Sequence, residues 1–387
     1  MAFSLNNIFQ SVSSALGQSQ NASVIGIDIG ASSVKIVQLR ASRGMAVLET
    51  YGEIALAPYS KLSVGKAVKL PAEKTAEAIV DLMREANVTS RAGGLAIPFA
   101  SSLVSVLDLP KVDDDALKRM VPIEARKYIP IPVSEVTLDW FIIPEEKGSD
   151  SAFDKVAAQV GGPGTQPIKG REVLLVAIHN ELLRNYKTIT TNTGITAQFY
   201  EIEIFSVIRS TLGHGLTPVL IVDFGASSTK IYVVERGIVR LTHLVSIGGQ
   251  HMTETLERSM GWEFDKSERI KREHGLVPST AFSSEENEKI KAALLSTLSR
   301  IFAEVNRVLL SYGQRYNKSV TKVVLVGGGA SLAGLMDVAR SSLNAEVEIG
   351  NPFTRTEAPA FLQTVLQTIG PGFAGAVGVA LRKLKNE

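Results

Sequence analysis

Cysteine is missing from this chain of 387 residues, which carries 41 Lys and Arg residues against 39 Asp and Glu residues. Without cysteine, the chain has no disulfide, no thiolate nucleophile and no cysteine-ligated metal site, which suits a reducing compartment. The formal net charge of +2 is small for this length. It argues against a dedicated nucleic-acid binder, because such proteins carry a strong basic excess.

Long apolar runs are missing as well. No uninterrupted run of about eighteen apolar residues occurs, so the sequence predicts no membrane-spanning helix. The first basic residue is Lys35, so the N-terminus lacks the basic region of a secretory signal. Residues 1–22 are predicted to be an N-terminal tail or a short docking helix, whose apolar positions are Phe3, Ile8, Phe9, Val12 and Leu16.

One stretch of the sequence occurs nearly twice. VIGIDIGASSVKIVQL at residues 24–39 is matched by VLIVDFGASSTKIYVV at residues 219–234. Each copy predicts an aliphatic strand, a Gly-Ala-Ser-Ser turn and a second strand. Because strands alternate with helices over the rest of a chain long enough for two domains, we expect an α/β fold with two related lobes.

The residues of the repeated turn suit a phosphate group. Glycine lets backbone N–H groups approach an anion closely, and serine hydroxyls add further donors. An aspartate at the strand end suits phosphate only when a cation lies between them, so Asp28 and Asp223 predict Mg²⁺ held largely through water. Lys35 is within reach of a β- or γ-phosphate. The alternative, an ordinary structural hairpin, is less able to explain two matched copies.

Three consecutive glycines, Gly327 to Gly329, follow the apolar strand KVVLV. Glycines at this point let the chain pass under a base or a phosphate. A helix predicted to begin immediately after them, over residues 330–343, would favour negative charge at its N-terminus. The glycines lack the spacing of a P-loop or a dinucleotide fingerprint, but together with the hairpins they predict the nucleoside side of a site.

The order of these motifs resembles the actin, sugar-kinase and Hsp70 ATPase superfamily from Ser23 onward. Within it, the chain is most similar to the PilM family of type IV pilus assembly proteins, relatives of the cell-division protein FtsA. Tyr-Ile-Pro-Ile-Pro is the most diagnostic piece, with Ile131 where the family usually has Phe. The resemblance is carried by VIGIDIGASSVKIVQL, EARKYIPIPVSEVTLDW (124–140), YEIEIFSVIRS (200–210), SIGGQHMTETL (246–256) and SERIKREHG (267–275).

The resemblance implies a two-lobed fold with an FtsA-type inserted subdomain. The first lobe is expected at residues 23–100 and 176–217, and the second at 218–371. The insert is expected at 101–175 with a mobile loop at 145–170, and a C-terminal helix at 372–387 is expected to pack back on the first lobe.

The resemblance also implies Mg–ATP as the ligand. In the first hairpin it implies contacts at Asp28, Gly30, Ser32, Ser33 and Lys35. In the second hairpin it implies β- and γ-phosphate contacts at Asp223, Gly225, Ser227, Ser228 and Thr229. The other implied contacts are Gly248 and Gly249 near the nucleotide, Glu268 and Lys271 at the ribose and base, and Gly327, Gly328, Gly329 and Ala330 under the base. For Glu268 and Lys271, the alternative is a surface helix pair.

Hydrolysis of ATP requires a polar group that orients the attacking water. The segment YEIEIF offers Glu203 as the preferred candidate and Glu201 as the second. A carboxylate beside a triphosphate also adds repulsion, so we expect nucleotide binding with slow turnover, used as a marker of conformational state.

The resemblance further implies a cytoplasmic scaffold, peripheral to the inner membrane, that captures the N-terminal cytoplasmic peptide of the membrane protein PilN. The peptide is expected to lie in a groove between the first lobe and the insert. The candidates for the lining of this groove are Tyr128, Ile129, Pro130 and Pro132; alternatively, these residues belong to the core of the insert. Other pilus platform proteins and the assembly motor are further candidate partners.

Two other functions remain open at this level. A small-molecule kinase of the sugar-kinase branch would need a catalytic aspartate base, and none stands out. A filament-forming protein like FtsA or MreB is the second alternative, although the basic amphipathic helix that anchors FtsA is not expected here.

Overall fold

The computed structural model describes three β-sheets with helices packed against them, over residues 23–110, 112–129, 131–144, 170–213 and 215–384. The predicted N-terminal tail, Pro130 and residues 145–169 of the loop predicted at 145–170 lie outside the described residues.

The strands of this part of the chain are β1 (Ser23–Ile29), β2 (Ser33–Ser42), β3 (Met45–Ala55), β4 (Ala92–Ile97), β5 (Ser102–Leu109), β6 (Val136–Ile142), β7 (Arg171–His179), β8 (Thr196–Ile202), β9 (Val219–Phe224), β10 (Thr229–Glu235), β11 (Ile238–Val245), β12 (Lys322–Val326) and β13 (Glu346–Ile349). The α-helices are α1 (Ala72–Glu85), α2 (Asp114–Ala125), α3 (Asn180–Thr193), α4 (Glu203–Thr211), α5 (Gly249–Met260), α6 (Phe264–Glu273), α7 (Ser284–Tyr316), α8 (Leu335–Ser342), α9 (Gln363–Ile369) and α10 (Ala374–Leu384).

Two five-stranded sheets share one topology. The first has the order β3-β2-β1-β4-β8 and the second has the order β11-β10-β9-β12-β13. In each, an antiparallel hairpin is followed by a strand that runs parallel to the first strand of that hairpin. The central strands are aliphatic on both faces, as is typical of sheets covered by helices on both sides. The sequence repeat therefore corresponds to two related lobes.

The third sheet belongs to the insert and has the order β5-β7-β6. Helix α2 packs on one face of it, where Leu117 and Val121 join the same apolar cluster as Leu107 and Leu175. Asp113 caps this helix by accepting a hydrogen bond from the backbone N–H of Ala116 at 2.7 Å. The insert reaches His179, past the predicted boundary at 175, because REVLLVAIH forms one continuous strand.

Helices α4 and α10 cross behind the first sheet, where α10 packs on β1, β2 and β4. A Cβ at Gly378 would overlap the carbonyl oxygen of Ser206, so only glycine permits this close crossing. Among the described residues, the helical stretch Ala360–Leu384 is long and apolar enough to cross a membrane, but 67% of its most apolar window is buried inside the protein. Such burial is typical of a core helix.

Candidate functional site

The two copies of the repeated sequence form the same turn. In the first, the backbone N–H of Gly30 donates to the carbonyl oxygen of Ser33 at 3.0 Å. In the second, the N–H of Gly225 donates to the carbonyl oxygen of Ser228, also at 3.0 Å. The flanking strands are in the same register, since Asp28 lies opposite Lys35 and Asp223 lies opposite Lys230. The predicted pair of hairpins is thus present in detail.

The short helical turn Gly370–Phe373 lies between the first hairpin and the triple glycine of the second lobe. The carbonyl oxygen of Pro371 accepts a hydrogen bond from the N–H of Gly327 at 2.8 Å. A Cβ on Gly372 would lie 3.4 Å from Cε of Lys35 and 3.6 Å from Cα of Gly328. The first hairpin and the triple glycine of the second lobe therefore line one cleft.

Asp28 and Asp223 both lie in this cleft, each against a glycine. A Cβ on Gly375 would lie 2.4 Å from Oδ2 of Asp28, and a Cβ on Gly327 would lie 2.4 Å from Oδ1 of Asp223. Burial raises the pKa of Asp28, Lys35 and Lys230 oppose the rise, and the charge of Asp223 adds to it. The aspartates of the two lobes are therefore close enough to interact.

Lys35 has its partners within the first lobe. Its ammonium lies 2.9 Å from Oε1 of Glu53, on the adjacent strand β3, and donates to the hydroxyl of Ser33 at 2.8 Å. Burial works to raise the pKa of Glu53, but Lys35 and Ser33 lower it overall. Ser32, Ser227 and Ser228 are at least partly exposed.

Thr229 differs from the serines. It is fully buried, and its hydroxyl donates to the carbonyl oxygen of Ile247 at 2.7 Å. The side-chain donor that the prediction assigned to a phosphate is thus already used in holding β10 to the segment before α5.

Glu203 is the first residue of α4 and is buried beside Lys230. Its Oε1 accepts from the backbone N–H of Phe99 at 2.7 Å, and its Oε2 lies 2.8 Å from Nζ of Lys230. The same ammonium lies 3.0 Å from Oδ2 of Asp223. Burial raises the pKa of Glu203 to about 7, against the effect of Lys230. Burial alone would lower the pKa of Lys230, but Asp223 and Glu203 raise it.

Glu201, the second catalytic candidate, is engaged in the packing of the connecting helices. Arg209 binds both of its carboxylate oxygens, at 2.6 and 2.7 Å, and Arg382 and Ser206 bind them as well. Burial opposes ionisation, yet the two arginines lower the pKa of Glu201 overall. With both oxygens occupied, Glu201 holds α10 to α4, and we do not assign it a role in hydrolysis.

Gly248 and Gly249 begin α5 directly on the second turn. The N–H of Gly249 donates to the carbonyl oxygen of Gly225, and the N–H of Gln250 to that of Ala226, both at 2.9 Å. A Cβ on Gly248 would lie 2.5 Å from the carbonyl oxygen of Gly225. These glycines therefore serve to bring the helix against the turn.

Glu268 and Lys271 form a buried pair on α6. The ammonium of Lys271 also contacts the carbonyl oxygen of Gly249 at 3.0 Å and the hydroxyl of Thr253 at 2.9 Å. Burial works to raise the pKa of Glu268, but Lys271, Thr253 and Arg272 lower it. The pair is thus connected to the start of α5, and the alternative of an exposed surface pair is wrong.

The triple glycine follows β12, and its last two residues begin a short 3-10 turn, Gly328–Ser331. Gly327 has a φ of +83°, which favours glycine, whereas a Cβ on Gly328 would meet nothing within 4 Å. Ala330 is buried. Helix α8 begins only at Leu335, after Gly334 at φ +80°. The expected N-terminus of an α-helix immediately after the glycines is therefore absent. The open surface at Gly328 is formed by backbone atoms.

Two structural features close to the turns were not predicted. Lys230 has the position of Lys35 in the second copy of the repeat, and that correspondence could have identified it. The second feature is the crossing loop (residues 61–71), which contacts both lobes. Its Val68 N–H donates to the carbonyl oxygen of Ala31, and its Ala67 N–H donates to Oε1 of Gln250 at 2.7 Å. Gly65 packs on Glu268.

The sequence profile of the family described as "Type IV pilus assembly protein PilM" matches residues 26–384. Curated relatives include the cell division protein FtsA of Rhizobium meliloti, 28% identical over 180 residues, and that of Agrobacterium fabrum, 27% identical over 237 residues. These matches cover 41% and 55% of this chain, but only 39% and 51% of the FtsA chains. The chain thus spans about half or less of these relatives' length.

Two solved structures share the fold. The first, described as the "PilM-PilN type IV pilus biogenesis complex", has a TM-score of 0.73 and 23% identity, and the match covers 93% of this chain and 98% of the other. The second, the ethanolamine utilization protein EutJ of Carboxydothermus hydrogenoformans, has a TM-score of 0.50 and 16% identity, with 97% and 94% covered.

Proposed function

This chain belongs to the type IV pilus assembly protein PilM family and has its actin-like α/β fold, and from that premise we propose that it is an Mg–ATP-binding scaffold of the pilus assembly platform. In this proposal it acts at the cytoplasmic face of the inner membrane and binds the N-terminal cytoplasmic peptide of a PilN-like membrane protein. The observation that carries the nucleotide part is the pair of identical turns that line one cleft.

The cleft contains hydrogen-bond donors and cations of the kinds that bind a triphosphate. Each turn presents serine hydroxyls and backbone N–H groups, and Lys35 and Lys230 add two positive charges close to the turns. The open backbone surface at Gly328 provides room for a flat base. Glu268 is an acceptor suited to ribose hydroxyls, although it is already bound to Lys271 and Arg272.

The acidic groups suit Mg²⁺ only in part. Asp28 has a carboxylate at the cleft, whereas Oδ2 of Asp223 is already paired with Lys230. Among the described residues, no group of three or more acidic or histidine side chains could hold a metal ion. A Mg²⁺ ion would therefore be held through water and phosphate oxygens, with Asp28 as its principal protein anchor. When bound, Mg²⁺ would neutralise charge on the phosphates.

Slow turnover follows from the engagement of Glu203. Both of its oxygens have partners, one in Phe99 and one in Lys230, so neither is free to orient a water without a rearrangement. We expect ATP to be held for long periods as a marker of conformational state. Steady-state hydrolysis at many turnovers per second would contradict this part of the proposal.

The PilN part of the proposal derives support from the solved PilM–PilN complex, whose PilM chain shares this fold. Of the predicted groove residues, Tyr128 is 48% exposed, whereas Ile129 is 8% exposed and packs in the core of the insert. Pro132 lies just before β6. Tyr128 and Pro132, which is also exposed, are thus the described groove candidates whose side chains can meet a partner without unfolding the insert.

The test combines two binding measurements on the full chain. Isothermal titration with ATP and Mg²⁺ should show binding, and a synthetic N-terminal PilN peptide should be retained by immobilised protein. Tyr128→Ala should weaken peptide retention, whereas Phe361→Ala, which removes an aromatic side chain that is 80% exposed on a distant surface, should not. Absence of ATP binding would overturn the nucleotide role, and absence of peptide retention would overturn the PilN role.

A further inference from the structure

Lys230 is a buried cation that lies beside the second turn. Its side chain is 12% exposed, and its ammonium lies 3.0 Å from Oδ2 of Asp223 and 2.8 Å from Oε2 of Glu203. The same nitrogen is 3.9 Å from the position that a Cβ on Gly225 would occupy. The ammonium therefore lies between an aspartate of the second lobe and a glutamate of α4, beside the turn itself.

The charges around the cleft explain why a fixed cation matters. Three carboxylates, from Asp28, Asp223 and Glu203, interact with one another in the cleft. A triphosphate would add several negative charges to them, at a separation where like charges repel strongly. Lys35 compensates only in part, because it is also paired with Glu53. A second cation is needed to offset the negative charge of the carboxylates and the phosphates. Among the described residues of the second hairpin, Lys230 supplies it.

We propose that Lys230 is the built-in counter-cation of the second turn, so that nucleotide binding by this chain depends strongly on Lys230 and only weakly on Mg²⁺. This inference rests on the proposed nucleotide-binding function. The ligand class is a nucleoside di- or triphosphate, since the ammonium recognises the phosphates and not the nucleoside. In this proposal Lys230 neutralises phosphate charge that would otherwise require a metal ion shared by Asp28 and Asp223.

The opposite possibility is that Lys230 only holds α4 to β10. A purely structural ion pair would affect stability, but it would treat ATP and adenosine alike and would leave the magnesium dependence unchanged. The two cases are separated by measuring affinity for both ligands, each with Mg²⁺ and with EDTA.

The experiment uses the full chain and three variants in equilibrium titrations. Lys230→Met alone leaves two buried carboxylates without a partner, so it is combined with Glu203→Gln to keep the charge balanced. Lys230→Arg retains the positive charge. Lys322→Met is the control, because Lys322 pairs with Glu348 at the exposed edge of β12 and β13. Circular dichroism and thermal unfolding establish that each variant is folded.

The wild-type chain should bind ATP in EDTA with an affinity within about fivefold of that in Mg²⁺, because a charge-assisted contact is already in place. The Lys230→Met, Glu203→Gln variant should lose about tenfold or more of its ATP affinity in EDTA and regain most of it with Mg²⁺. Its affinity for adenosine should not change. Lys322→Met should resemble the wild type, and Lys230→Arg, which keeps the charge but not the shape of the ammonium, should retain more ATP affinity in EDTA than the Lys230→Met, Glu203→Gln variant does.

Each remaining outcome has a defined meaning. Loss of wild-type ATP binding in EDTA, with binding intact in Mg²⁺, would overturn the inference and leave the proposed function standing. The same holds if the Lys230→Met, Glu203→Gln variant binds ATP as the wild type does in EDTA, or if it loses ATP and adenosine affinity equally. No nucleotide binding by the wild type under either condition would overturn the proposed function and the inference with it.

Discussion

The two hairpins of this protein have the same turn and the same register, yet their lysines have different surroundings. Lys35 reaches Glu53, whose side chain is 47% exposed, on the next strand of its own sheet. Lys230 reaches Asp223 on its own hairpin and Glu203 on a helix that begins in the other lobe, and all three side chains are at most 12% exposed.

This difference separates what a local sequence determines from what the whole fold determines. The Gly-Ala-Ser-Ser segment is enough to form the turn, because its hydrogen bond joins residues three apart. The ion-pair partners of each lysine, in contrast, include residues outside the turn: Glu53 for Lys35, and Asp223 and Glu203 for Lys230. Duplicated loops can therefore differ in their electrostatic surroundings while their sequences remain nearly identical.

Removing each lysine in turn should reveal the largest difference between the two hairpins. Lys230→Met leaves the buried carboxylates of Asp223 and Glu203 without their cation and should lower the free energy of unfolding by about 3–5 kcal/mol. Lys35→Met leaves the half-exposed Glu53 and should cost about 1 kcal/mol or less. Urea denaturation of both variants measures the difference, and equal losses would show that the two sites are equivalent.

The glutamate partners should respond to pH with opposite signs. The pKa of Glu203 is raised from 4.5 to about 7, so the folded state binds more protons and loses stability as pH rises through this window, by at most about 1.4 kcal/mol per pH unit. The pKa of Glu53 is lowered from 4.5, so its contribution is present above that pH and is lost as pH falls.

Unfolding free energies measured across this pH range therefore test the comparison. Glu203→Gln should remove a decline that the wild type shows between pH 4.5 and about 7, whereas Glu53→Gln should reduce a decline toward acid pH. Parallel curves for the wild type and both variants would contradict the assignment.

The glycines that contact the two aspartates should sharpen the comparison further. Gly327→Ala places a Cβ near Oδ1 of Asp223 at a φ of +83° and should cost about 1–3 kcal/mol. Gly375→Ala meets Oδ2 of Asp28 without that backbone strain and should cost less. Gly328→Ala, with open space around it, is the control. Thermal unfolding gives the order, and a costly Gly328→Ala would contradict it.

A local effect is expected at the crossing loop, which connects the first turn to the second lobe. Gln250→Ala removes the acceptor of the Ala67 N–H and should cost about 1 kcal/mol. Amide hydrogen exchange should become faster in residues 61–71 and stay the same in β9 and β10. Unchanged exchange in the loop would show that this contact does not hold it.

The sequence was sufficient to predict features that depend on short-range patterns. The hairpins, the two related lobes and the family resemblance are confirmed, because aliphatic runs and turn residues mark them directly. The end of the insert was misplaced, because β7 is one aliphatic run without any boundary signal at residue 175. The start of α8 was misplaced because a 3-10 turn and Gly334 come first.

The chemistry of individual side chains was harder to predict. Glu201 and Glu203 are two residues apart, yet one faces Arg209 and Arg382 while the other faces Lys230. Glu203, one of the two partners of Lys230, is 27 residues away and comes from another element. Such pairings arise when lobes meet, and no local pattern encodes them.

The central claim is that the two turns bind one nucleotide between them. The most direct measurement is a crystal structure of the full chain with ATP and Mg²⁺. We expect a single nucleotide whose phosphates contact both residues 30–33 and residues 225–228. A nucleotide bound to one turn alone, or outside the cleft, would contradict it.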